Sequence, residues 1–105
     1  MNINGKEVAL RFGMLCIEEF SKRVYEKQKN PTGTYGIAAM IYAAAVNYYE
    51  VKEEPLPVTF EEIYDYVESN WHEAERMKEF VKVSEDFVAS QAFQKQSAKQ
   101  VEKKS

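Results

Sequence analysis

Residues Ile37 to Val46, reading IAAMIYAAAV, put apolar side chains on every side of a helix. A helix with no polar face has nothing to offer water, so it must be covered from several directions, in the middle of a bundle or in an interface. The run is about half of the roughly 20 residues that a membrane-spanning helix needs, which makes it a buried segment of a globular domain. Asn30-Pro31-Thr32-Gly33 stops whatever precedes it, with Thr34 as the candidate cap, and Pro55 and Pro57 close its far end. The spacing predicts a helix over about Tyr35 to Lys52. One of its stripes carries Tyr35, Ala38, Tyr42, Ala45 and Tyr49; another carries Ile37, Ile41, Ala44 and Tyr48.

The flanking sequence supplies the covering elements. Asn4-Gly5 is a favoured two-residue hairpin turn, because both central positions need φ > 0. Val8, Leu10 and Phe12 then alternate with Ala9 and Arg11 at the strand period. From Gly13 the period becomes helical: Cys16, Ile17, Phe20 and Val24 fall inward, and Glu18, Glu19, Lys22, Arg23 and Glu26 outward, predicting a helix from about Met14 to Gln28. Thr59 followed by Glu62 is a capping box, with Val58 placed to staple onto Ile63, so a helix starts at Phe60 with Phe60, Ile63, Tyr64 and Val67 inward. Asn70 with Glu73 repeats the box and predicts a last helix from Trp71 to about Gln94. Its seam is Ala74, Met77, Val81, Ser84, Val88 and Gln91, widened by Phe80 and Phe87. The expected fold is mainly α, a compact bundle of about four helices with a short N-terminal β-hairpin. It forms a single helical domain over 1–93, followed by a flexible basic tail over 94–105 in which apolar residues nearly vanish.

The chain's 105 residues fit one domain with one core. Its single cysteine, Cys16, excludes an internal disulfide framework and fits a reducing compartment, and the N-terminal residues lack the pattern of a secretory signal, so the cytoplasm is the expected location. A net charge of −3 argues against nucleic acid as a general partner, and the missing apolar span argues against a membrane. The charge is also segregated: from Glu53 to Glu75 there are eight acids and no Lys or Arg, while 94–105 carries four lysines against Glu102.

No residue pattern announces catalysis, a metal site or a cofactor. Cys16 with His72 is the one conceivable nucleophile and base, but Cys16 lies on the apolar face of its helix and reads as a small core residue. His72-Glu73-Ala74-Glu75-Arg76 has arginine where a metalloprotease helix carries its second histidine, so no zinc site follows. Glu61, Glu62, Asp65 and Glu68 read as a solvated helix face. Gly33 and Gly36 lack the preceding strand and the Lys-Ser/Thr pair of a phosphate loop. The seven tyrosines lack the basic groove that would make them a platform for single strands. The residues point to a protein that binds other proteins, and the candidate contact residues are Tyr35, Tyr42 and Tyr49 of the second helix and Met77, Val81 and Val88 of the last.

The N-terminal pattern has three parts: the Ile3-Asn4-Gly5-Lys6-Glu7 turn, an alternating segment ending in Arg11-Phe12-Gly13-Met14, and the acidic amphipathic helix beginning Leu15-Cys16-Ile17-Glu18-Glu19-Phe20. It resembles the tail assembly chaperones of long-tailed bacteriophages. The Ala- and Tyr-rich second helix and the capped Thr59-Phe60-Glu61-Glu62 start extend the resemblance to about Phe93. The resemblance implies a non-catalytic protein of the host cytoplasm that coats the long helical tape measure protein, keeps it soluble and helps tail tube protein assemble around it, with homo-oligomers possible. By the same resemblance, a chain ending Lys103-Lys104-Ser105 fits the shorter product of a frameshifting gene, with 94–105 as a connector to an optional second domain; a solvated lysine-rich terminus is the alternative. The alternative reading is an unrelated helical adaptor or regulator of phage or bacterial origin.

Overall fold

The computed structural model describes residues 1–104, with side chains described as far as Gln91. Strands β1 (Asn2–Ile3) and β2 (Lys6–Glu7) pair antiparallel, Asn2 opposite Glu7 and Ile3 opposite Lys6, and four helices follow: α1 (Met14–Val24), α2 (Gly33–Lys52), α3 (Phe60–Ser69) and α4 (Ala74–Lys104). Asn4 and Gly5 sit at φ of 52° and 87°, the left-handed pair that the turn requires. The mainly α architecture with a small N-terminal hairpin is the one the sequence pattern predicts.

Helix α2 packs against α1, α3 and α4, and its all-round apolar character follows from serving two cores. Ala38, Ile41 and Ala45 join Ile3 of the hairpin, Val8 just after it, Val58 just before α3, Ile63, Tyr66 and Val67 of α3, and Phe80 and Val83 of α4. Ala39, Ala43 and Ala44 face Cys16, Phe20 and Val24 of α1 and Phe87 of α4. The small alanines let Phe20 approach the α2 backbone, and Phe20 closes the second core against Phe87 with ring centroids 4.6 Å apart.

The start of α1 is capped from a distance. Gly13, at its N-cap, has no side chain to offer the unpaired N–H groups of the first turn. Asn47 of α2, 3% exposed and the one buried polar residue among those described, supplies the acceptor instead. Its Oδ1 accepts the Gly13 N–H at 2.9 Å and the Cys16 N–H at 3.1 Å. A Cβ on residue 13 would lie 2.7 Å from that oxygen, so the cap requires glycine there.

Several expected boundaries shift. The alternating segment from Val8 to Phe12 is not a strand, because β2 stops at Glu7, Val8 pairs only with Met1, and from Ala9 the chain bonds to helices. The Ala9 N–H donates to the Tyr49 hydroxyl at 3.1 Å, the Arg11 N–H to the Ala44 carbonyl at 3.0 Å, and the Ser90 hydroxyl to the Phe12 carbonyl at 2.6 Å. Helix α1 ends at Val24 rather than near Gln28: Gln28 turns left-handed at φ 56° and the Lys29 N–H returns to the Val24 carbonyl at 2.7 Å. Thr32, not Thr34, occupies the N-cap of α2, with its hydroxyl donating to Asn30 Oδ1 at 2.8 Å. Gly36 has its own reason, since a Cβ there would run into the Pro31 carbonyl.

The capping box at α3 is present as expected, with Thr59 Oγ1 accepting the Glu62 N–H at 3.2 Å and Glu62 Oε1 accepting the Thr59 N–H at 3.2 Å. The second expected box is not: Asn70 is the C-cap of α3, its amide donating back to the Tyr66 carbonyl at 2.7 Å, and α4 begins at Ala74 after a turn through Trp71. The backbone of α4 continues helical past the expected end near Gln94, over a stretch free of Gly and Pro. The flexible basic tail expected over 94–105 falls where side chains lie outside the described residues.

Two outcomes follow from these contacts. Asn47→Leu keeps the branched outline of the side chain and replaces the acceptor by a larger methyl group, leaving two backbone donors buried without partners. It is expected to lower stability by about 2 kcal/mol or more, read as a lower urea midpoint. At the hairpin, Glu62 accepts the Lys6 ammonium at 2.9 Å, and this bond together with the Thr59 bonds holds its carboxyl below the usual glutamate value. A lowered folded pKa contributes stability that is present above the unfolded value and is lost as pH falls through the folded one. Amide-exchange protection factors at residues 2–8, corrected for the intrinsic pH dependence of exchange, are therefore expected to fall on acidification below the ordinary glutamate range, and Lys6→Met should remove the part of that loss that runs through the Lys6–Glu62 bond.

Candidate protein-binding surfaces

The tyrosine stripe of α2 divides in two. Tyr35 and Tyr42 join Phe60 and Tyr64 of α3 in an aromatic cluster, with ring centroids of Tyr35 and Phe60 5.3 Å apart, Tyr42 and Phe60 5.7 Å, and Tyr35 and Tyr64 6.1 Å. Arg23 of α1 closes over it, its guanidinium carbon 4.2 Å from the Phe60 centroid and 4.6 Å from that of Tyr42. The sequence placed Arg23 on the solvent face. Instead it is half-buried, with its charge over rings whose quadrupole favours it. Tyr49 belongs elsewhere: its ring packs edge-on against Tyr48 at 4.9 Å and its hydroxyl accepts the Ala9 N–H. It fastens the N-terminal segment to α2, so the structure does not unite it with Tyr35 and Tyr42.

The seam of α4 also divides. Phe80, Val83 and Phe87 turn into the core, whereas Val81 and Val88 are 48% and 57% exposed and Met77 is half-buried. Seven residues separate Val81 from Val88 and four separate Met77 from Val81, so the three line one face beside the buried one. Two concavities flank that face. One, of about 480 Å³, is lined by Ala74, Met77, Lys78, Val81, Lys82 and Glu85. The other, of about 210 Å³, is lined by Ile37, Trp71, Met77, Phe80, Val81, Ser84 and Glu85. Sequence reasoning missed Ile37 and Trp71 as contributors. Trp71 lies in a turn, stacked on Phe80 at 6.0 Å between centroids, and no periodicity could have shown it.

The acidic face of α3 is largely as expected, with Glu61, Asp65 and Glu68 exposed and Glu62 engaged by Lys6. Tyr66, which the sequence reading did not single out, is buried and donates its hydroxyl to Glu79 Oε2 at 3.2 Å. Desolvation and then the neighbouring Glu79 charge push its pKa up.

The chemically suggestive residues stand apart from these surfaces. Cys16 is fully buried among Phe20, Val24 and the α2 alanines, and burial pushes its thiol up to about 12, which leaves almost no thiolate near neutral pH. His72 lies exposed in the turn before α4. Among the described residues no group of three or more His, Cys, Asp or Glu side chains is placed to hold a metal ion. No helix among them is long and apolar enough to cross a membrane. Compared with models of protein families, with curated proteins and with solved structures, the chain matches none.

The burial of Cys16 sets an expected reactivity. In the native protein at pH 8 a disulfide reagent such as DTNB should label it far more slowly than a free thiol, with labelling recovering in denaturant. Rapid native labelling would place Cys16 in an accessible, activated setting instead.

Proposed function

We propose that this protein is a tail assembly chaperone of a long-tailed bacteriophage. In this reading it acts in the host cytoplasm without catalysis, binds the tape measure protein and assists assembly of tail tube protein around it. The observation that carries the reading is the division of α4. Its larger apolar residues, Phe80 and Phe87, satisfy the core, while Met77, Val81 and Val88 form a second apolar row with Val81 and Val88 open to solvent. A long helix with an exposed apolar stripe is a natural complement to such a row, and laying the two together removes apolar area from water on both. In this reading the client is suggested by the resemblance of residues 3–20 to these chaperones, and the row is the surface offered to hold it. The same row would also serve self-association when no client is present.

Co-expression tests this directly. A tape measure helix that is insoluble alone should become soluble with the wild-type chain. The double variant Val81→Asp, Val88→Asp alters exposed positions, so it should keep its circular dichroism and melting cooperativity while raising the dissociation constant about tenfold or more. Failure of the wild type to solubilise the client would reject the chaperone reading in favour of an unrelated adaptor. Equal performance by the double variant would reject α4 as the contact.

A further inference from the structure

A second surface, separate from α4, has the chemistry of a cation site. Tyr35 of α2 and Phe60, Glu61, Tyr64 and Asp65 of α3 line a concavity of about 390 Å³. Its three rings are mutual neighbours, with Tyr35 5.3 Å from Phe60 and 6.1 Å from Tyr64, and Phe60 6.1 Å from Tyr64; Phe60 and Tyr64, tilted 32° to each other, make the aromatic floor and Tyr35, tilted 60° and 59° to them, stands as its side. Glu61 and Asp65 stand one helical turn apart and so project to the same side of α3. Both are exposed, and neither forms an ion pair among the described residues. An anion would be repelled from this rim, and a purely apolar occupant would strip water from two carboxylates with nothing in exchange.

We infer that the concavity receives an arginine side chain of a partner protein, its guanidinium lying on the aromatic floor and its N–H groups reaching Glu61 and Asp65. Arginine fits better than lysine because a planar, weakly hydrated guanidinium stacks on rings and meets carboxylates with several donors at once. The molecule's own cations behave accordingly. Two of the site's rings already attract cations of the chain itself from outside the concavity: the Arg23 guanidinium lies 4.2 Å from the Phe60 centroid and 4.6 Å from that of Tyr42, whereas the Lys29 ammonium stays 5.7 Å from Tyr35 and that of Lys52 5.9 Å from Tyr48, and neither Arg23 nor Lys29 lines the concavity. The acid-only stretch from Glu53 to Glu75, which supplies every residue of the site except Tyr35, steers a basic segment toward it. The inference requires only an arginine-bearing segment and does not rest on the chaperone reading.

The test is an NMR titration of the full chain with acetyl-Gly-Arg-Gly-amide and with the same peptide carrying citrulline, the uncharged isostere. The ring signals of Tyr35, Phe60 and Tyr64 should shift and saturate with arginine at about millimolar concentration, and citrulline should bind about tenfold more weakly. In the double variant Glu61→Gln, Asp65→Asn the preference for arginine over citrulline should vanish, while the melting curve confirms that the chain is folded. Equal binding of the two peptides, shifts centred outside these rings, no saturable shift, a lysine peptide that matches arginine, or an undiminished preference in the double variant would each overturn the assignment.

Discussion

The amide of Asn47 fixes how the first two helices meet. A helix that begins against another helix brings its unpaired N–H groups out of water, and those groups need an acceptor inside the protein. Asn47 Oδ1 takes two of them, and it reaches them because residue 13 has no side chain in the way. Gly13 and Asn47 thus depend on each other across 34 residues of sequence. With the start of α1 held there, Cys16, Phe20 and Val24 come to rest over Ala39, Ala43 and Ala44, where side chains larger than methyl groups would hold the two backbones apart.

The same requirement explains the segment between β2 and α1. Val8 still pairs with Met1 through both its N–H and its carbonyl, but from Ala9 onward no neighbouring strand among the described residues receives the backbone groups. Acceptors and donors come from the sides of helices: the Tyr49 hydroxyl, the Ala44 carbonyl and the Ser90 hydroxyl. These contacts join the N-terminal segment to α2 and α4, and with Asn47 they connect three parts of the chain that share little sequence proximity. Removal of any one leaves a polar backbone group to find water in a partly buried place.

Features that depend on a few adjacent residues were legible in the sequence. The Asn4-Gly5 turn and the Thr59-Glu62 box are local chemistry, and both stand as read. The apolar run of α2 was legible because no arrangement other than burial suits it. The alternation of Val8, Leu10 and Phe12 gave the facing of those residues but not their partner, since a period of two means extended chain and a helix flank can bind extended chain too. Asn70 was misread because Asn caps either helix end, and only the fold decides which. Asn47 and Arg23 carried no local signal at all: one is a polar residue in an alanine-rich helix, the other a charge on a nominally outer face, and both gain their roles from distant partners.

Candidate surfaces were half legible for a related reason. On α4 the sequence offers two adjoining apolar rows, Phe80 with Phe87 and Val81 with Val88, and helical periodicity alone cannot rank them. Burial area does, because a phenylalanine ring removes more apolar surface from water than a valine, and the ring pairs Phe20–Phe87 and Tyr66–Phe80 add contact geometry that valine lacks. Once the rings take the inside, the valines must face outward, and the apolar row available to a partner is fixed by what the core did not use. On α2 polar contacts with the backbone take part as well. The Tyr49 hydroxyl accepts the Ala9 N–H and the Tyr35 hydroxyl donates to the Arg23 carbonyl at 3.5 Å, so both half-buried tyrosines are tied to the fold, and Tyr35 in addition lines a surface concavity beside Glu61 and Asp65. The polar needs of the nearby backbone thus hold members of the stripe in place, and a stripe read from spacing alone overstates how much of it a partner can reach.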